Sequence, residues 1–326
     1  MEVYLASPWI PRELVEVHGL VPRGLFCAPA FGTATPRMAE GVCSFAQQSL
    51  ELARTHCGQD NAVVFGSSCD QMRRGFDLVG EPQKTNVFLF NLPATWQSDA
   101  AQHLFRAEFE RFTRFLERLG GRRQADESAA TIIDGARDAR AKLRSLWNKL
   151  RARGFAECIA RFHWDGRAIV EPASDANADA GVPVAVVGGP LTQAQLVILD
   201  AIESAGGRVA LNATETGERS LGLETPFPGR AAGSTGGLAR FFFSRIIDVW
   251  QRPNTRLYAW LRERIEERNV RGIVLWHHVG CDLWRAEAAS LREAFGLPIL
   301  TLDSEQAHSD RPRLAHRIAA FMEILK

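Results

Sequence analysis

The chain has 326 residues, 46% hydrophobic and 24% charged, ordinary proportions for a globular protein but more than one core comfortably fills, so two domains are expected. Its 39 basic and 38 acidic residues leave a formal net charge of +1, which removes any electrostatic case for nucleic acid or an anionic membrane surface as a partner. No apolar run approaches the roughly 20 residues that span a bilayer. Near Met1, the residues Pro8, Pro11, Arg12 and Glu13 interrupt any secretory signal, so a cytoplasmic protein with reduced cysteines is expected.

In chain order, residues 1 to about 95 carry short apolar runs closed by Gly or Pro, with helical stretches between them. The runs are Gly24-Leu25-Phe26, Ala62-Val63-Val64-Phe65 and Val87-Phe88-Leu89-Phe90, the pattern of βαβ units. From Gln97 the period becomes helical: Leu104, Phe105, Phe109, Phe112, Phe115, Leu116 and Leu119 recur at spacings of three and four until Gly120-Gly121. A second helix is expected over Ser128–Leu150. The small, polar stretch 175–181 reads as an interdomain linker.

A second α/β unit follows. Pro183–Val187 and Arg208–Leu211 read as strands flanking a helix over Thr192–Ala205. Glu218–Gly237 reads as a mobile or partner-contacting loop. A helix over about 254–268 leads to a strand at 272–276, a helix over 283–294, a strand at 298–302 and a final helix ending near Ile324. The predicted fold class is α/β, with doubly wound parallel sheets and an intervening helical segment; the halves are residues 1–178 and 179–326. No internal sequence repeat is apparent.

Three of the six cysteines stand out by placement. Cys69 follows the strand 62–65 and the turn Gly66-Ser67-Ser68, and Cys281 follows the strand 272–276 and His277-His278-Val279-Gly280. Both lie just beyond the carboxyl ends of parallel strands, where open α/β sheets place ligands. Cys43 opens a helical stretch after Glu40-Gly41-Val42. Three convergent thiolates with no fourth point to a metal centre with one open position; an isolated cysteine would instead read as a small core hydrophobe.

Ser7-Pro8-Trp9-Ile10-Pro11-Arg12-Glu13-Leu14 with Gly19-Leu20-Val21-Pro22 resembles the opening motif of the 2-hydroxyacyl-CoA dehydratase and benzoyl-CoA reductase family. Gly41-Val42-Cys43-Ser44-Phe45 resembles its first cysteine motif, Ser68-Cys69-Asp70 its second, and Cys281 in a strand-turn-helix its third. Gly296–Leu300 and Arg317–Glu323 resemble its ending. The intervals, 26 residues from Cys43 to Cys69 and 212 to Cys281, make the order more specific than any one motif. His18, where a small residue is usual, and Thr301–Glu305, which keeps only part of the acidic ending, depart from the pattern.

The resemblance implies a [4Fe-4S] cluster held by Cys43, Cys69 and Cys281 between two Rossmann-like domains. It also implies radical reductive chemistry on an acyl-CoA thioester, with electrons from a separate ATP-dependent activase and a related second subunit as partner. A non-catalytic relay subunit and a zinc-binding or metal-free protein are the alternatives. His277, His278 and Ser7 are candidate catalytic residues near the cluster. Arg73 and Arg74 are candidates for CoA phosphates or for a solvated face. Cys27 is a further candidate ligand, Cys57 resembles a helix end, and Cys158 reads as core. Gly188-Gly189-Pro190 is not a dinucleotide fingerprint and no GxxxxGK[ST] occurs, so NAD binding is unsupported and any ATP hydrolysis belongs to another protein.

Overall fold

A computed structural model describes residues 1–28, 42–56, 58, 60–79, 86–166, 180–224, 235–304 and 310–326. The linker 175–179 and Cys57 lie outside the described residues. In the first half, β1 (Glu2–Leu5), α1 (Arg12–Val17), β2 (Val21–Gly24), α2 (Ser44–His56), β3 (Asn61–Gly66), α3 (Asp70–Val79) and β4 (Val87–Phe90) follow in order. The helices α4 (Asp99–Arg118), α5 (Asp126–Arg144) and α6 (Ala152–Asp165) come next. The second half holds β5 (Val182–Gly188), α7 (Val197–Ser204), β6 (Gly207–Thr214), α8 (Thr235–Ser244), α9 (Thr255–Glu267), β7 (Gly272–His278), α10 (Asp282–Phe295), β8 (Ile299–Ser304) and α11 (Arg311–Leu325).

The strands form two four-stranded sheets, all parallel, with the orders β2-β1-β3-β4 and β6-β5-β7-β8. The two orders are the same arrangement twice, although no repeat is visible in the sequence. In each sheet the order reverses between the first and third strands, β1 with β3 and β5 with β7. Ligands of open parallel sheets collect beyond the carboxyl ends at such a reversal. Ala62–Phe65 in β3 and Ile273–Trp276 in β7 are wholly buried, as continuous apolar runs in parallel strands covered on both faces should be.

One expected strand moves and one strand is new. The first strand is Glu2–Leu5, which the sequence reading passes over, and the run at 24–26 is the end of β2 followed by a 3₁₀ turn at Leu25–Cys27. The strand pattern is obscured by Pro22, which a central strand would reject; β2 is an edge strand, where the missing N–H is tolerated. The segment expected as a loop from Glu218 begins as a buried 3₁₀ turn, Glu218–Leu221, and ends in α8; residues 225–234 lie outside the described ones. The helix expected to Leu150 stops at Arg144, and α6 follows with Cys158 half-buried in it.

The phenylalanine stripe of α4 does bury as its spacing predicts. Phe105 stacks on Phe243 of α8 with ring centroids 4.8 Å apart, and Phe109 lies 6.0 Å from Phe242. A single core cluster runs through this contact, from Val3 and Val64 of the first sheet to Val187 and Leu275 of the second. Gly188 ends β5 at φ +150°, and a Cβ there would collide with the carbonyl oxygen of Trp276, so only glycine lets β5 and β7 close up at their carboxyl ends.

Candidate metal centre

Cys43, Cys69 and Cys281 line one cavity, together with residues of both halves. Ala6 follows β1, Ser68 follows β3, Pro190 follows β5, Glu215 follows β6 and Cys281 follows β7. The cavity therefore sits where the carboxyl ends of the two sheets face each other. Each cysteine immediately precedes a helix: α2 at Ser44, α3 at Asp70 and α10 at Asp282. In all three, the backbone N–H three residues on, at Ala46, Met72 and Trp284, favours the thiolate. Three helix N-termini, each carrying partial positive charge, thus point at one cavity.

Burial opposes those amides and wins. It pushes the Cys43 thiol up to about 12, Cys69 to about 11 and Cys281 to about 12. The sulfurs also feel one another: charge on Cys69 and Cys281 raises Cys43, and charge on Cys69 raises Cys281. Such a set is neutral by itself and becomes anionic only when a cation replaces its protons. Among the described residues no three His, Cys, Asp or Glu are grouped as a single ion requires. A lone zinc ion needs its thiolates within roughly 2.3 Å of one point, whereas a cluster spreads them over separate irons. One further feature suits an anionic inorganic core: Trp250 lines the cavity, and its buried indole N–H has no hydrogen-bond partner among the described residues. The donor set and its surroundings fit an iron–sulfur cluster.

The cysteine turns are tied together. The amide of Cys43 donates to the side-chain carbonyl of Gln71 at 3.1 Å, linking the first two cysteine turns. Gly280, at φ +82°, lies against Cys43, where a Cβ would sit 3.4 Å from the Cys43 Cα. His278 completes the clamp. Its Nε2 faces the carbonyl of Pro190 at 2.9 Å and so carries the hydrogen, which leaves Nδ1 to accept from the Ser44 hydroxyl at 3.0 Å. Burial lowers this imidazole to about 4, keeping it neutral.

His277 and His278 are both buried, at the end of β7. His278 lines the cavity but has both ring nitrogens engaged; His277 is absent from the lining and its Nδ1 lies 3.2 Å from the His278 carbonyl. Ser7 is buried just after β1, with its Oγ accepting from the Trp9 amide at 3.3 Å, next to the lining residue Ala6. Arg73 and Arg74 are exposed on α3. Cys27 lines a different cavity, with Phe26 and Asn212, and burial raises its thiol.

Two acids of the wall are absent from the sequence reading. Asp248 is buried and paired with the fully buried Arg219 at 3.1 Å. It also accepts from the Trp9 indole at 2.9 Å and the Val249 amide at 2.6 Å. Arg219 donates to the Gly188 carbonyl at 2.6 Å and lies 4.5 Å over the Trp284 ring. Glu215 has no such partner among the described residues, and burial with the nearby Asp248 raises it to about 8 against the opposing pull of Arg219. The strand-end position that singles out Cys69 and Cys281 applies equally to Glu215 after β6. No such signal marks Asp248, which lies in an irregular stretch.

A profile of the family described as 2-hydroxyglutaryl-CoA dehydratase, D-component, matches residues 9–325. The chain is also 21% identical over 352 aligned positions to "Putative dehydratase subunit YjiM" of Escherichia coli (strain K12), an alignment that takes in 97% of this chain and 89% of that protein.

Proposed function

Since the chain belongs to the 2-hydroxyglutaryl-CoA dehydratase D-component family, we propose that it is the iron–sulfur subunit of an acyl-CoA dehydratase-type complex, with Cys43, Cys69 and Cys281 holding a [4Fe-4S] cluster. The observation that carries this reading is the single cavity shared by three thiols drawn from both halves of the chain. When bound, the cluster supplies one-electron transfer at low potential. The reading assigns to the complex reductive chemistry on an acyl-CoA thioester, a related partner subunit, and an ATP-dependent activase as the source of electrons.

The chain's own residues prepare the site for that task. The amides of Ala46, Met72 and Trp284 stabilise the three thiolates. His278 holds the cysteine turns of the two halves in register through Ser44 and Pro190. Phe45, Trp250 and Trp284 line the wall and make the surroundings of the sulfurs apolar, which strengthens electrostatic effects there. Among the described residues no charged nitrogen lines the cavity, so thiolate charge is balanced by backbone dipoles and by the metal.

The test is anaerobic reconstitution with iron and sulfide, followed by EPR of the reduced protein alone, with candidate partner and activase, and with acyl-CoA thioesters. A reducible cubane signal that turns over thioester in the complex supports the proposal. A protein that takes up zinc but no iron and sulfide contradicts it.

A further inference from the structure

The cavity contains one more candidate ligand than three cysteines. Glu215 stands at the carboxyl end of β6, its amide donating to the Gly189 carbonyl at 3.4 Å, and its side chain lines the same cavity as the thiols. Its charge is felt by both Cys69 and Cys281. The cavity wall holds a second acid, and the two are treated differently. Asp248 has the Arg219 guanidinium, the Trp9 indole and the Val249 amide. The Glu215 carboxyl has neither a hydrogen bond nor an ion pair among the described residues.

Glu215 is half-buried, and a carboxyl held in a largely apolar cavity without a protein partner is costly. The missing partner here is defined by its neighbours. Three thiols leave one iron of a cubane without a protein ligand, and a carboxylate oxygen is an acceptable donor to iron. Trp250 lines the same wall, and its indole N–H has no hydrogen-bond partner among the described residues.

We infer that Glu215 is the fourth, carboxylate ligand of the iron–sulfur cluster, closing the position that three cysteines leave open. On binding, one Glu215 oxygen exchanges its proton for the iron, and the proton leaves to solvent; no electron moves. The inference rests on the cluster reading above. It refines that reading, because a saturated cluster passes electrons onward and does not hold the thioester carbonyl itself.

Two measurements on reconstituted protein test it, neither requiring turnover. The first adds cyanide to the reduced wild-type protein and to Glu215→Gln and Glu215→Ala. The EPR spectrum should be unchanged in wild type and shifted in both variants. The second is brief ferricyanide oxidation. The variants should lose about one iron of four and show a three-iron signal, while wild type and Glu215→Cys retain all four. Cyanide binding to wild type, or equal iron loss with and without the carboxylate, overturns the assignment even if a variant fails to fold. A wild-type chain that assembles no cluster overturns the underlying reading as well, and is told apart by its lack of iron and sulfide.

Discussion

Ser44 and His278, 234 residues apart, are joined by a 3.0 Å hydrogen bond, and the same imidazole reaches the Pro190 carbonyl on its other side at 2.9 Å. One ring therefore couples the start of α2, which follows Cys43, to the end of β7, which leads to Cys281. Removing the hydroxyl strands a buried ring nitrogen. Ser44→Ala should cost about 1–3 kcal/mol of stability, and His278→Ala more, because two bonds and a packed ring are lost together. The urea midpoint checks this. It should fall in both variants with an unchanged slope, whereas an unshifted midpoint for His278→Ala would remove the ring from the clamp.

A second buried histidine gives stability a pH dependence. His163 donates from Nε2 to the Ser220 hydroxyl at 2.8 Å, since that hydroxyl spends its own hydrogen on Gly217. Burial, and then the cations Arg12 and Arg140, hold the ring well below its ordinary range. The unfolded chain binds this proton at about pH 6.5 and the folded chain does not, so falling pH favours unfolding. Stability should be intact above about pH 7 and decline below about 6.5, by up to about 1.4 kcal/mol per pH unit for each such histidine. His278 adds a slope of the same sign down to about 4. His163→Gln, which can keep the donor, should flatten the decline by one proton's share in denaturation curves taken from pH 7 to 5.

The Arg219–Asp248 pair is more sensitive to removal of one partner than of both. Arg219→Met leaves Asp248 buried without its counter-charge and should cost about 3–5 kcal/mol. Adding Asp248→Asn to that variant should recover part of the loss, since the amide carries no charge and can still accept from Trp9. A double variant no more stable than Arg219→Met alone would show that the arginine acts by packing on Trp284 and not by pairing.

What the sequence discloses here follows from how local each signal is. The phenylalanine period of α4 and the continuous apolar runs of β3 and β7 are set by nearest neighbours and read correctly. Cys69 and Cys281 are legible because a strand end precedes each. The edge strand β2 is hidden because Pro22 is excluded only from strands with two neighbours, and neighbours are not written locally. Glu215 is hidden by company: an acid after a strand is common, and only the cavity shows that it faces thiols. Asp248, Trp250 and the His278–Pro190 bond depend on segments that meet only in the folded chain. The duplicated sheet order leaves no trace in residue identity, since many apolar sequences satisfy the same buried strand.

The central claim, that Cys43, Cys69 and Cys281 hold one cubane, is tested most directly by iron and acid-labile sulfide per chain after anaerobic reconstitution of wild type and single Cys→Ser variants. Wild type and Cys158→Ser should hold about four irons and four sulfides, and each of Cys43→Ser, Cys69→Ser and Cys281→Ser should lose the cluster absorption. Fewer than about two irons in wild type, or a cluster lost only in Cys158→Ser, would contradict it.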